Sequence, residues 1–233
     1  MKSLKTCLLC LILMVQAGCV NAFAYRHSDW LVLWKMDHYL DLTKDQKRQL
    51  RGRVKELLTE HRQEALPLYE RFLNGIKEKS ADGLTREDVD LIFAKYQDLR
   101  ADLFRRVVPG AAAFLTSVND GQLRNLEEAF QEDNQKAERE VKEERGVRMA
   151  KRASATLDWL KEWLGPLSGE QKRRITEISL ALPDMHRTRF DFQQRRQQEV
   201  LDLLRATQDR QIISQRLRDW LVYPDRTNPP QYE

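Results

Sequence analysis

The sequence predicts an all-α protein, a long-helix bundle-like domain with an internal duplication. Three observations predict it. A third of the 233 residues are charged, while Gly and Pro number only nine and seven, the composition of long amphipathic helices. Apolar residues recur at a 3.6-residue spacing, and no stretch alternates as a strand would. Helix-starting pairs also stand at regular intervals: Thr43 with Gln46, Thr85 with Asp88, Asn119 with Gln122 and Ser168 with Gln171.

Before the first helix comes an export signal. Lys2 and Lys5 are followed by an apolar run over 7–15, too short for the roughly 20 residues that span a bilayer. Ala17-Gly18-Cys19 is the pattern at which a diacylglycerol is attached to the cysteine sulfur and the chain is cut before it. Gln16 stands where an aliphatic residue is usual. Cys19 is therefore the expected lipidation site, and the several acyl chains of a lipoprotein anchor stably where a single chain does not. Val20, with no Asp beside the cysteine, favours the periplasmic face of the outer membrane. The alternative is cleavage after Ala24, releasing a soluble periplasmic chain. Cys7 and Cys10 are lost with the signal, so neither a disulfide nor a cysteine-zinc site is expected in the mature chain.

A first helix is expected over 26–40, rich in Trp30, Leu31, Leu33, Trp34, Met36 and Tyr39. The next starts after Thr43, carries the stripe Leu50, Val54, Leu57 and Leu58, and is kinked or divided by Pro67. A turn over 80–83 leads to a third helix striped by Val89, Ile92, Phe93, Tyr96, Leu99, Leu103 and Val107, expected to break at Pro109-Gly110. A small-residue segment over 111–118 follows. One long helix is then predicted over 121–163, its charged middle at 132–152 solvated and bent near Gly146. Gly165-Pro166 ends it, and helices over 169–182, 184–206 and 208–222 complete the chain.

The chain resembles itself. Asp29-Trp30-Leu31-x-x-Trp34 recurs as Asp158-Trp159-Leu160-x-x-Trp163, the Leu42-to-Arg48 segment as Leu167 to Arg173, and His61-Arg62 as His186-Arg187. A shared order of three elements containing rare residues points to duplication. The expected organisation is a signal at 1–18, a tether at 19–24, a first helical half at 25–130, a charged connecting helix at 131–152, a second half at 153–223 and an irregular tail at 224–233.

Phe23-Ala24-Tyr25, Asp29-Trp30-Leu31-Val32, Asp37-His38-Tyr39-Leu40-Asp41-Leu42-Thr43, His61-Arg62, Leu66-Pro67 and the segment from Trp159 to Ser168 together resemble a family of proteobacterial helical lipoproteins of unknown function. The resemblance covers nearly all of the mature chain. It implies a lipid-bearing cysteine a few residues before Tyr25, which Cys19 satisfies, and no enzymatic activity. His38 and Glu60 depart from the pattern, which has an acidic residue and Trp there. Leu42 to Gln46 also resembles the Leu-Thr-x-x-Gln motif of small helical periplasmic stress chaperones.

No catalytic residues are expected. Glu-x-x-His, His-Glu-x-x-His and Gly-x-Ser-x-Gly are absent, so neither a di-iron centre, a zinc protease nor a serine hydrolase is signalled, and no metal or cofactor is expected. The candidate anion- or ligand-binding residues are His61, Arg62, His186 and Arg187, since a guanidinium fork recognises carboxylate or phosphate. The plainer reading puts them at the core edge, ion-paired with neighbouring carboxylates. Trp30, Trp34, Trp159, Trp163 and Trp220 are expected in the core rather than in an aromatic groove. The net charge is +4, two units of it from Lys2 and Lys5, which leaves about +2 and no case for nucleic acid. The expected function is a non-enzymatic, chaperone-like or envelope-maintenance lipoprotein. Its expected partners are the membrane, through the N-terminal lipid, and envelope proteins or unfolded polypeptides. The alternatives are an adaptor subunit of an envelope complex and, further off, a cell-wall or lipid hydrolase.

Overall fold

The computed structural model describes residues 25, 27–81, 83–224 and 227. Cys19, the signal, the tether and most of the tail lie outside them. The protein is all-α, as the sequence predicts. Its helices are α1 (Ser28–Leu40), α2 (Lys44–Glu60), α3 (Leu66–Ala81), α4 (Arg86–Leu115), α5 (Asp120–Lys142), α6 (Arg145–Leu164), α7 (Gly169–Ala181), α8 (His186–Ala206) and α9 (Arg210–Leu221). They form two compact units. One takes the described residues up to Leu126 and those from Leu203 onward; the other is Glu127–Asp202. The boundaries fall within α5 and α8.

In the first unit α1 and α2 form a hairpin whose corner is built by two aspartates. Asp41 adopts a left-handed conformation (φ 44°), and its N–H bonds back to the Asp37 carbonyl at 2.8 Å. The Asp37 carboxylate accepts the Leu42 N–H at 2.9 Å and Lys47 Nζ at 2.7 Å. The Lys47 ammonium holds the Asp37 carboxyl below its usual range, with the Leu42 N–H adding to the effect. Leu40 and Leu42, on either side of the corner, are buried.

The start of α2 then meets the start of α5. Thr43 caps α2 through the Gln46 N–H, and Asn119 caps α5 through the Gln122 N–H. Each glutamine reaches back to its cap residue's own N–H, completing a reciprocal pair. The two glutamine side chains also bond each other, Gln46 Nε2 to Gln122 Oε1 at 3.0 Å and Gln122 Nε2 to Gln46 Oε1 at 2.8 Å. Gln46 donates further to the Ser117 carbonyl just past α4, and Gln122 to the Asp41 carbonyl. Both amides are buried. Val118 and Leu123 beside them, just before the cap and one turn into α5, are buried too, the positions of a hydrophobic staple.

The prolines behave in different ways. Pro67 lacks an N–H, and its ring crowds the carbonyl four residues earlier. The chain meets this with a wide turn over His61–Ala65, closed by the Leu66 N–H on the His61 carbonyl, an i→i+5 bond. The axis is adjusted there and the helix resumes. Pro109 does not end α4, contrary to the sequence expectation: the helix runs on to Leu115. Val108 and Ala112 around it are wholly buried, and α9 packs along this stretch with Ile213, Leu217 and Trp220 inward. Arg210 donates to the Pro109 carbonyl, and Arg100 caps α9 at the Leu221 carbonyl. Packing on both sides of the proline outweighs the roughly 3 kcal/mol it costs a helix interior. The same packing puts α9 in the first unit.

In the second unit the single helix expected over 121–163 is two helices. The chain turns at Glu143 and Glu144, short of Gly146, and α6 starts at Arg145. Arg148 explains the break. Its guanidinium folds back to donate to the Val141 and Glu143 carbonyls, satisfying the end of α5, and pairs with Asp184. Met149 and Ala153 on the same helix are buried. One turn on, Arg152 donates to the Ser179, Leu182 and Pro183 carbonyls and so closes α7. Gly165, at φ 79°, ends α6 in a backbone conformation that side chains resist. Asn134 and Gln193 link α5 to α8 at 3.2 Å.

The repeat is visible locally and then parts. α1–α2 and α6–α7 are both packed pairs in which a buried leucine, Leu42 or Leu167, precedes a capped helix start. Beyond that, Gln46 is buried while its counterpart Gln171 is exposed.

Gln46→Ala takes from the buried Gln122 amide both of its bonds to Gln46 and from the Ser117 carbonyl its side-chain donor, so it should lower unfolding free energy by about 2–3 kcal/mol. Gln171→Ala, losing only a solvated cap, should cost about 1 kcal/mol or less. Urea denaturation followed by circular dichroism compares the two; equal costs would contradict the paired-amide account.

Candidate functional site

The wide turn that accommodates Pro67 also sets the surroundings of His61. The His61 ring packs edge-on to Tyr69, centroids 5.3 Å apart, and Nδ1 lies 3.0 Å from the Tyr25 hydroxyl. Burial lowers its pKa, and the nearby Arg106 guanidinium lowers it further. The neutral ring is favoured; in its Nε2-protonated form it accepts the Tyr25 O–H at Nδ1. Burial likewise raises the Tyr69 phenol. Arg106, on α4, pairs with Glu64 from the wide turn and donates from Nε to Asp102 at 3.0 Å. These hydrogen bonds raise its pKa and hold it in place. Arg62 is exposed, and its Nε bonds the Leu58 carbonyl of its own helix.

His186-Arg187 has another setting. His186 opens α8 after Pro183, with Nδ1 2.8 Å from Asp184 Oδ1. The same carboxylate pairs with Arg148, and that arginine, ahead of His186, pushes the Asp184 carboxyl far below the usual range. Arg187 is exposed, bonded to Asp191 at 3.0 Å, with its guanidinium 5.7 Å from the Phe190 ring. Beside it a groove of about 400 Å³ lies between α5 and α8, bordered by Gln131, Asn134, Gln135 and Glu138 on one side and Arg187, Phe190 and Gln194 on the other, so that Arg187 faces a carboxylate as well as amides.

The two pairs thus belong to different units and different local structures. His61 sits within a continuous helical run and His186 at a helix start. Among the described residues, no group of three or more His, Asp or Glu is arranged to hold a metal ion, and no helix is long and apolar enough to cross a membrane.

The structure overturns the expectation for the tryptophans. Trp220 alone of the five is buried; Trp30, Trp34, Trp159 and Trp163 are 57, 58, 58 and 69% exposed. Leu33 and Leu40 take the inward face of α1 instead. Sequence reasoning did not bring Tyr25, Tyr69 or Arg106 to His61. The only signal was Glu64, three positions after His61 and on the same helical face.

A family model described as Family of unknown function (DUF6279) matches residues 38–233. The chain belongs to this family. The family match spans both His-Arg pairs and begins after Trp30 and Trp34. No curated protein and no solved structure matches the chain.

The lowered His61 pKa fixes a pH dependence. Below the unfolded value near 6.5 the unfolded chain binds a proton that the folded chain resists. His61 therefore adds stability above that pH, and this is lost as pH falls through 6.5 toward the lower folded pKa. Thermal melts from pH 7.5 to 5 should show a slope that His61→Gln flattens. An unchanged slope would exclude His61 as its source.

Proposed function

We propose that this protein is a lipoprotein anchored through acylated Cys19 at the periplasmic face of the outer membrane, where it acts without catalysis as a chaperone-like binder of apolar polypeptide segments. The observation that carries this reading is the hairpin of α3 and α4. Leu73, Leu91, Phe93 and Tyr96 are 60, 64, 60 and 53% exposed, and Leu66, Leu68, Leu84 and Val89 are exposed with them. The Phe93 and Tyr96 rings are neighbours, 6.4 Å apart. On α4, Val89, Phe93 and Tyr96 recur at helical spacing along one exposed face, and an exposed apolar face of this kind marks a binding surface.

The hairpin is a built element. Lys79 pairs with Asp88 across its turn at 2.5 Å, and Asp88 also closes the Thr85 cap. Lys79 first and Thr85 second hold the Asp88 carboxyl at about 2. The long periodic stripe of α4 is thus split in use. Its C-terminal part, around Val108 and Ala112, meets α9, and its N-terminal part stays open. Ala17-Gly18-Cys19 and the preceding short signal support the anchor.

The purified protein should suppress light scattering by an unrelated unfolding protein at equimolar ratio or below. Leu91→Glu with Phe93→Glu should reduce that suppression severalfold with helicity unchanged. Undiminished suppression by the double variant would remove the hairpin from the reading. No suppression by the wild type, with one fixed co-purifying protein, would favour an adaptor subunit instead.

A further inference from the structure

A second exposed aromatic face has no role in the reading above. Trp30 and Trp34 stand one helical turn apart on α1, rings stacked with centroids 6.4 Å apart and planes 14° apart, beside exposed Leu31. Leu33 and Leu40 seat the adjoining face of α1 in the core, and the indoles stand outward beside it. The Asp37–Lys47 ion pair ties α1 to α2. α2 carries six basic side chains against three acidic ones. Four of the six, Lys44, Arg48, Arg51 and Lys55, follow one another at helical spacing along a single exposed stripe.

We propose that the α1–α2 hairpin is a docking surface for an anionic lipid bilayer, with Trp30 and Trp34 entering the headgroup layer and the basic stripe of α2 drawing the hairpin to anionic lipid. Indole suits that layer because it joins an apolar ring to one polar N–H, and cations gather at an anionic leaflet for simple Coulombic reasons. Charge complementarity selects the occupant, and so does chain length. α1 begins nine residues after Cys19, and nine residues span at most roughly 30 Å when fully extended. The length argument rests on the reading of Cys19 as acylated; the charge and indole arguments do not. On that reading the hairpin is the first folded element after the anchor and stays within reach of the bilayer.

The test uses the full-length protein extracted from the producing cells and mixed into vesicles of phosphatidylethanolamine and phosphatidylglycerol. The vesicles carry a nitroxide quencher at the headgroup or shallow acyl positions, and tryptophan fluorescence is read. Quenching should be strong in the wild type and largely lost in Trp30→Phe with Trp34→Phe, a change that keeps the apolar bulk and the fold. It should persist in Trp159→Phe with Trp163→Phe. Vesicles of phosphatidylcholine alone should give severalfold weaker quenching. Quenching that survives loss of Trp30 and Trp34 overturns the docking surface, and equal quenching in neutral vesicles overturns the part assigned to the basic stripe. Intact mass of the same preparation reads Cys19 acylation separately. An acylated chain without Trp30 and Trp34 quenching removes the surface and keeps the anchor. An unacylated chain with that quenching removes the anchor and keeps the surface.

Discussion

The first unit depends on one buried pair of amides. Gln46 and Gln122 each complete the cap of their own helix and then spend their remaining hydrogen-bonding capacity on each other, on the Ser117 carbonyl and on the Asp41 carbonyl. A primary amide offers two donors and a two-lone-pair acceptor, and here nearly all of that capacity is used. The arrangement fixes three helix ends at once: the start of α2, the end of α4 and the start of α5. Buried polar groups tolerate few geometries, because each lost partner costs about 1–3 kcal/mol. Apolar contacts around Val118 and Leu123 hold this junction together, and the amides determine its register.

The second unit meets the same constraint with charge. Its helix ends also expose carbonyls that must find donors. Arg148 and Arg152, one turn apart on α6, each reach a neighbouring terminus. A guanidinium suits the task because its several N–H groups diverge in one plane and reach carbonyls from successive residues. Asp184 balances Arg148 and at the same time receives His186. His186 is therefore part of a helix-start arrangement, bonded to Asp184 through both its ring and its backbone N–H.

How much could be read in advance follows from the range of the interaction. Helix starts at Thr43, Thr85, Asn119 and Ser168 were legible because a capping box is complete within four residues. Breaks were less so. Pro109 looks like a terminator until α9, a hundred residues later, packs over Val108 and Ala112. Gly146 announces a bend, but the full break two residues earlier, at Glu143 and Glu144, depends on Arg148 folding back. The motif that buries Gln46 is the same one that leaves Gln171 in water; Ser117 and Gln122 distinguish them, and Gln122 is 76 residues away. For His61 and Arg106 the limitation was similar, since the wide turn at Pro67 aims His61 at Tyr25 and Tyr69 rather than at its sequence neighbour Arg62.

The tryptophans bear on the proposed function in a way their spacing could not. Helical spacing of large apolar residues implies burial only if a partner face exists, and the inward faces of α1 and α6 are already filled by Leu33, Leu40, Met149 and Ala153. The open faces differ in chemistry. On α1 it is indole, beside a helix rich in basic residues; on α3–α4 it is leucine and phenylalanine, next to mixed charge. Indole is accommodated at a wet boundary, whereas Leu91 and Phe93 gain most from full removal from water. On the proposed reading the two faces therefore have different occupants. The proposed tether would keep the indole face near lipid and leave the apolar face of α3–α4 to receive polypeptide.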